Sequence, residues 1–230
     1  MKPLGPIPNG FTAIDGELAI GGRKARDLVE EAGGTPLFVY SGELIRRRVA
    51  ALREAMPDRL KLHYAVKANP YPPILELMRG VIDGFDIASG GELGFALEAG
   101  LARGRISFAG PGKRDDELAR AIAAGVTLNL ESEREAHRAL AIAERDGMTP
   151  RLAIRVNPDF ELRGSGMKMG GGAKPFGVDA ERVPALARKI LAAGAEWRGL
   201  HIFTGSQALD AAAIAETQAN VLDLAAELSR

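Results

Sequence analysis

The sequence predicts an α/β fold built from about six strand–helix units that share a parallel sheet. Short runs rich in β-branched and aromatic residues end in small or polar residues, and an amphipathic helix follows each run. Successive runs begin 21, 22, 21 and 25 residues apart over the first five, the length of one strand, one helix and two loops. Right-handed crossovers assemble such units into a parallel sheet. The six runs are LHYAVKA (62–68), DGFDIAS (83–89), RISFAGP (105–111), VTLNLES (126–132), RLAIRVNP (151–158) and RGLHIFTG (198–205).

The number of units leaves two sheet arrangements open. An open doubly wound sheet suits six strands, whereas a (β/α)8 barrel needs eight strands and typically about 250 residues. The chain has 230 residues. Before the first unit, residues 1–40 differ in character: short strands with turns, then a helix near 23–33, indicate a contribution to a second, β-rich domain. A helix at about 42–56 follows them.

Helix-capping residues support the unit boundaries. Ser132 with Glu135 three residues later fits a capping box. Asp115, Asp179 and Asp210 each stand where a carboxylate could cap the helix that follows.

Composition excludes several classes of function. Thirty basic and thirty acidic residues cancel, which gives no indication of a nucleic-acid or membrane-surface partner. The chain has no cysteine, and its three histidines form no metal-binding motif, so no metal site is expected. No apolar run approaches the roughly 20 residues of a membrane span, and a cytoplasmic location is expected.

Polar side chains recur on one face of the predicted strands, although strands buried on both faces are normally apolar throughout. They gather toward the carboxyl ends of the strands, where α/β folds bind ligands, and therefore predict a site. The polar residues are His63, Lys67, Asp86, Asn129, Glu131, Arg155, Asn157 and His201, and the aromatic Phe203 shares the face of His201.

Lys67, in the stretch HYAVKANP, is the candidate nucleophile of this face. A lysine amine can form a Schiff base with a carbonyl substrate or with pyridoxal 5′-phosphate (PLP). Phe203 could stack on a cofactor ring, and Gly205 and Ser206 could bind its phosphate. The residues alone leave a PLP enzyme and a Schiff-base aldolase open. The glycine-rich insertion at 159–177 is too long for a simple connector and is predicted to be a functional loop.

Seven motifs in order give the chain a family resemblance. They are YAVKAN (64–69), DIASGGEL (86–93), FAGPGK (108–113), NLESEREA (129–136), IRVNP (154–158), PFGVD (175–179) and GLHIFTGSQ (199–207). Together they resemble the fold-type III PLP-dependent decarboxylases, the group of diaminopimelate and ornithine decarboxylases. RGSGMKMGGG and HIFTGSQ are most similar to the branch described as exosortase A system-associated pyridoxal-dependent decarboxylases.

The resemblance implies an alanine-racemase-like (β/α)8 barrel and PLP-dependent decarboxylation of an amino acid or an amino-acid-derived, possibly carrier-bound, substrate. It implies that Lys67 is the Schiff-base lysine, that Asp86 and Arg155 lie near the cofactor ring, and that Ser206 binds the cofactor phosphate. It also implies a homodimer at full length. A non-catalytic PLP-binding protein and an amino-acid racemase are the alternatives.

Two departures from the family pattern qualify these expectations. Diaminopimelate decarboxylases usually have a ring-stacking histidine where this chain has Phe203, which puts diaminopimelate as substrate in doubt. Family members also continue well past this length. The expectation is therefore a truncated N-terminal portion: residues 1–40 contribute to the β domain, residues 41–230 form a partial barrel, and the C-terminal β domain is absent. Alone, it is expected to bind PLP weakly and to decarboxylate poorly or not at all.

Overall fold

The computed structural model describes residues 10–161, 167–168, 172 and 174–229, and the chain divides into two compact units. One ends at Leu62 and includes Gly80–Ile82; the other comprises His63–Arg79 and the chain from Asp83 onward. The division that the sequence suggests at residue 40 stays a prediction.

The first unit contains a three-stranded antiparallel sheet and two helices. Its elements are β1 (Thr12–Ile14), β2 (Glu17–Ile20), β3 (Arg23–Lys24), α1 (Ala25–Glu31) and α2 (Gly42–Ala55). Asp15 and Gly16 have φ angles of 51° and 77°, the left-handed pair that a two-residue hairpin turn requires. The short strands and the helix predicted near 23–33 are confirmed.

The second unit alternates parallel strands with helices. Its elements are β4 (His63–Ala65), α3 (Pro72–Arg79), β5 (Gly84–Ile87), α4 (Gly90–Glu98), β6 (Ile106–Phe108), α5 (Asp115–Ala124), β7 (Thr127–Leu130), α6 (Glu133–Arg145), β8 (Arg151–Asn157), β9 (Met167–Lys168), β10 (Val178–Asp179), α7 (Val183–Ala192), β11 (Glu196–Ile202), β12 (Gly205–Ser206) and α8 (Ala211–Leu228). Six of the strands, β4, β5, β6, β7, β8 and β11, correspond to the six predicted runs, so the prediction of six units is confirmed.

Sequential strands lie side by side in one parallel sheet. Its order is β4, β5, β6, β7, β8, and β11 then pairs with β8, His201 opposite Arg155. Short β10 pairs with the last two residues of β8. A separate two-stranded antiparallel pair joins β12 to β9. The carboxyl ends of the six strands therefore point to the same edge of the sheet.

One face of each strand packs against the helices and forms the core. Phe85, Ile87, Leu128, Leu130 and Ile154 are at most 1% exposed. Burying such side chains stabilises the fold by about 1.5–3 kcal/mol each. The residues between them along the strands face the other side, and there polar groups replace apolar ones.

Capping contacts confirm some helix starts and correct others. Ser132 Oγ accepts the Glu135 N–H at 3.2 Å, and Asp210 Oδ1 accepts the Ala212 N–H at 2.9 Å, so both residues cap their helices as predicted. The predicted capping box is only half formed, because the Glu135 carboxylate accepts the N–H of Glu131 and Lys113 Nζ. Asp115 does not cap α5: it is the first residue of that helix, and Arg114 occupies the cap position. Asp179 makes no capping hydrogen bond, because its carboxylate accepts the side-chain amide of Asn157 at 3.0 Å.

The first strand is shorter than predicted. β4 ends at Ala65, and Val66–Ala68 form a 3₁₀ turn, so Lys67 lies on an exposed turn after the strand and not within it. Asn69 N–H closes the turn on the Val66 carbonyl at 3.1 Å. Among the described residues, no helix combines the length and the apolar character needed to cross a membrane.

Candidate active site

Most of the predicted site residues lie at or near the carboxyl ends of β4, β5, β7, β8 and β11; His63 is the exception, because it is the first residue of β4 and lies opposite Gly84, the first residue of β5. Lys67 follows β4, Asp86 lies in β5 and Glu131 follows β7. Arg155 and Asn157 lie near the end of β8, and His201 near the end of β11; Phe203 follows β11. These strands are parallel and follow one another in the sheet, with only β6 between β5 and β7. The topology therefore gathers the groups on one side of the sheet.

The carboxyl group of Asp86 lies within the electrostatic reach of Lys67. Burial raises the pKa of the Asp86 carboxyl, whereas the Ser107 hydroxyl, which donates a 2.8 Å hydrogen bond, and the charge of Lys67 oppose that rise. His63 packs against Gly84, where an added Cβ would lie 2.4 Å from its ring. Burial lowers the pKa of His63, so its ring is biased toward the neutral form.

Glu131 and Arg155 form a buried ion pair between β7 and β8. Arg155 Nη1 donates to Glu131 Oε1 at 2.9 Å, and the two side chains are 6% and 1% exposed. A charge buried to this degree is tolerated only when it is paired and hydrogen-bonded. The same carboxylate accepts the backbone N–H of Gly110 at 2.5 Å and that of Gly177 at 3.1 Å.

Gly177 is required by this geometry. Its φ is +79°, and an added Cβ would lie 2.9 Å from the Asn157 amide nitrogen and 3.0 Å from the Arg155 carbonyl oxygen. Those neighbours are backbone atoms of β8 and cannot rotate away. Only glycine therefore lets this segment approach β8 closely enough to donate to Glu131.

A second buried ion pair lies behind the first, and sequence reasoning missed it. Lys113 Nζ donates to Glu135 Oε1 at 2.6 Å and to the carbonyl oxygens of Gly110 and Asn129 at 2.7 and 2.9 Å. The side chains of Lys113 and Glu135 are 1% and 4% exposed. Glu135 appeared in the sequence only as a capping residue. The available signal was a lysine two residues after a predicted strand run, in FAGPGK.

The guanidinium of Arg155 contacts two aromatic rings. Its Cζ lies 4.9 Å from the Phe176 ring centre and 5.8 Å from that of Phe203, within cation–π range. Phe203, expected to stack on a cofactor ring, thus lies beside Arg155.

Gly205 and Ser206, expected to bind phosphate, form β12 and pair with Lys168 and Met167. Asn157 Nδ2 donates to the Gly172 carbonyl at 2.9 Å, which connects the glycine-rich insertion to β8 at this residue. Most of the motif RGSGMKMGGG lies outside the described residues, so its predicted functional role stays a prediction.

Four buried polar atoms on this face lack a hydrogen-bond partner among the described residues. They are Asn129 Nδ2, Arg155 Nη2, Asn157 Oδ1 and His201 Nδ1. They lie on three neighbouring strands, and buried polar groups in folded proteins are normally satisfied. Two are donors, one is an acceptor, and the neutral imidazole nitrogen can be either. A ligand with several acceptor oxygens, such as PLP, fits this set.

His201 makes the stability of this face depend on pH. Burial lowers its pKa to about 4, and the charges of Arg155, Lys113 and Lys67 act in the same direction. Between pH 6.5 and 4 the unfolded chain binds a proton that the folded chain does not, so the free energy of unfolding falls as the pH falls through this window. The loss is expected to be about 3 kcal/mol.

The His201→Gln variant is expected to lose this part of the pH dependence. Urea denaturation between pH 7 and pH 4 measures it. His137→Gln replaces an exposed histidine and is expected to keep the wild-type profile. Identical profiles for wild type and His201→Gln would show that His201 is not the titrating group.

Fold and site together define an α/β protein with a lysine after its first barrel strand and a lining suited to an anionic, acceptor-rich ligand. The chain belongs to the family of pyridoxal-dependent decarboxylases: residues 42–229 match the pyridoxal-binding domain of that family.

Individual relatives agree with this assignment. The chain is 39% identical over 221 residues to a diaminopimelate decarboxylase of Aquifex aeolicus, covering 94% of this chain and 52% of the relative. It is 32% identical to the L-glutamyl-[BtrI acyl-carrier protein] decarboxylase of Niallia circulans, covering 83% of this chain and 45% of the relative. The chain thus spans about half the length of these curated relatives.

Solved structures share the fold. A diaminopimelate decarboxylase from Helicobacter pylori, crystallised with L-lysine, superposes with a TM-score of 0.80 at 30% identity, covering 88% of this chain and 52% of that chain. A crystal structure from Aquifex aeolicus gives 0.80 at 36% identity, covering 95% and 51%. Together with the family match, this confirms the alanine-racemase-like barrel and decides between the two sheet arrangements that the sequence left open.

Proposed function

We propose that this protein holds PLP covalently on Lys67 and decarboxylates an amino acid or an amino-acid-derived substrate. The observation that carries the proposal is that Lys67, the buried Glu131–Arg155 pair and the four polar atoms without a partner among the described residues lie on one side of a parallel sheet. PLP, when bound, supplies the electron sink that a carbanion formed on loss of CO2 needs. The protein supplies binding and orientation.

Each proposed role follows from position. The amine of Lys67 lies on an exposed turn, where it is accessible to an aldehyde. Asp86 provides a carboxylate within electrostatic range of that amine. Arg155 presents Nη2 as a buried donor that has no partner in the described part of the chain, and His201 presents a neutral imidazole. Phe203 covers the guanidinium from one side.

The remaining site residues, the form of the substrate and the assembly belong to the same proposal. Ser206 and Gly205 would bind the phosphate from β12, while His63, Glu131 and Asn157 would line the site. The substrate could be free or attached to a carrier; a relative whose name specifies an acyl-carrier-bound substrate supports including the second form. A homodimer at full length is proposed on the family resemblance, and a cytoplasmic location on the sequence pattern.

Release of CO2 tests the proposed reaction. Protein expressed from the full reading frame of the gene, incubated with PLP and carboxyl-labelled amino acids, is expected to release labelled CO2 from at least one of them. The panel includes free diaminopimelate, ornithine, arginine and glutamate. Glutamate is also tested when it is attached to an acyl carrier. Loss of optical rotation without CO2 would indicate a racemase, and PLP binding without either would indicate a non-catalytic binder. Both outcomes contradict decarboxylation.

A further inference from the structure

Glu131 connects four separate parts of the chain through one carboxylate. Its Oε1 accepts the backbone N–H of Gly110, after β6, and Nη1 of Arg155, in β8. Its Oε2 accepts the backbone N–H of Gly177, before β10. Glu131 itself follows β7. All three partners are hydrogen-bond donors, and an ionised carboxylate can only accept hydrogen bonds, so each of these contacts is favourable.

The backbone of Glu131 is held as firmly as its side chain. Its N–H donates to Glu135 Oε2 at 3.0 Å, and Glu135 Oε1 in turn accepts Lys113 Nζ at 2.6 Å. Lys113 also donates to the carbonyl of Gly110, the residue whose N–H binds Glu131. The Glu131–Arg155 and Lys113–Glu135 ion pairs therefore restrain the side chain and the backbone of Glu131.

Within the described part of the chain, one terminal nitrogen of the Arg155 guanidinium is hydrogen-bonded and the other is not. Nη1 is bound to Glu131, whereas Nη2 is buried and has no partner among the described residues. The rings of Phe176 and Phe203 contact the guanidinium group. A guanidinium restrained in this way presents Nη2 in one direction.

We propose that Glu131 is a positioning residue that fixes Arg155 so that Nη2 is directed at an acceptor oxygen of the bound cofactor. The cofactor part rests on the proposed function; the restraint on Arg155 does not. Lys113 and Glu135 support Glu131 and do not contact the ligand. Preorganised donors of this kind raise affinity because they need no rearrangement on binding.

Glu131→Gln is the informative substitution because it preserves shape. Glutamine has only one acceptor oxygen. Its NH2 group must face either the N–H of Gly177 or the two donors at the Oε1 position, Gly110 N–H and Arg155 Nη1. Either choice places donor against donor, so at least one contact is lost. Glu133→Gln is the matched control: Glu133 lies two residues away, is 44% exposed and pairs at the surface with Arg182.

The measurement is arginine side-chain NMR on the ¹⁵N-labelled chain without PLP, with Arg155→Lys used to assign the signals. In the wild type, Arg155 is expected to give separate, slowly exchanging Nη1 and Nη2 proton signals. In Glu131→Gln, rotation of the guanidinium is expected to accelerate about tenfold, while Glu133→Gln keeps the wild-type rate. Equal rates in the two variants would overturn the proposal.

The effect of Glu131 on cofactor binding is measured separately, by borohydride labelling of Lys67. The PLP concentration that half-labels Lys67 under borohydride is expected to rise about tenfold in Glu131→Gln and to stay unchanged in Glu133→Gln. An unchanged midpoint in Glu131→Gln overturns the link to the cofactor. No labelling in any variant is a failure of the proposed function, and the NMR result still decides the restraint on Arg155. If Glu131→Gln does not fold, the NMR signals of wild-type Arg155 test the proposal, because a freely rotating guanidinium there contradicts it.

Discussion

Replacing Lys113 by methionine is expected to lower the free energy of unfolding by about 3–5 kcal/mol, because a buried carboxylate loses its counter-ion. Glu135 is buried, and besides Lys113 Nζ its carboxylate accepts the backbone N–H of Glu131. Burial raises the pKa of Glu135, and Lys113 opposes that rise. Without the lysine, the charged form of Glu135 is left largely uncompensated. Urea denaturation at pH 7 measures the change.

A second substitution separates the charge effect from lost packing. Glu135→Gln is expected to destabilise the wild type but to stabilise Lys113→Met by about 2 kcal/mol, because it removes the uncompensated charge and retains an acceptor for the Glu131 N–H. Lys189→Met, at an exposed position of α7, is the control and is expected to change stability by less than about 0.5 kcal/mol. A Glu135→Gln effect of the same sign in both backgrounds would refute the interpretation.

Replacing Lys67 by alanine is expected to abolish covalent retention of PLP and to reduce CO2 release by about a thousandfold or more, because alanine has no nucleophile. The fold should tolerate the change, since Lys67 is exposed on its turn. Lys61→Ala removes another exposed lysine six residues earlier and is expected to retain both properties. CO2 release by Lys67→Ala at the wild-type rate would exclude Lys67 from the reaction.

The strand–helix order was predictable because it depends on local periodicity. The apolar residues of β5, β7 and β8 recur at every second position, and their spacing determines which side chains share a face. The shared face of Asn129, Arg155 and His201 follows from the same alternation. The barrel did not follow from the residues alone, since closure depends on strand number, and six units left two arrangements open.

The errors arose where tertiary contacts override local pattern. HYAVKA has strand propensity throughout, but the chain turns at Val66, so Lys67 leaves the strand. Asp179 has a capping composition, but Asn157 supplies a competing donor that lies 22 residues away in sequence. The Lys113–Glu135 pair spans the same distance and has no local periodic signature. Partners so far apart in sequence are known only once strands are paired.

The most direct test of the central claim is to locate the lysine that carries PLP. The 230-residue chain is incubated with excess PLP, reduced with borohydride, digested and analysed by mass spectrometry. We expect one saturable pyridoxyl adduct, on Lys67, and analogues of PLP that lack the aldehyde should compete with its formation. Lys67→Ala should lack this adduct, and Lys61→Ala should retain it. Saturable labelling at another lysine, or none at Lys67, would contradict the central claim.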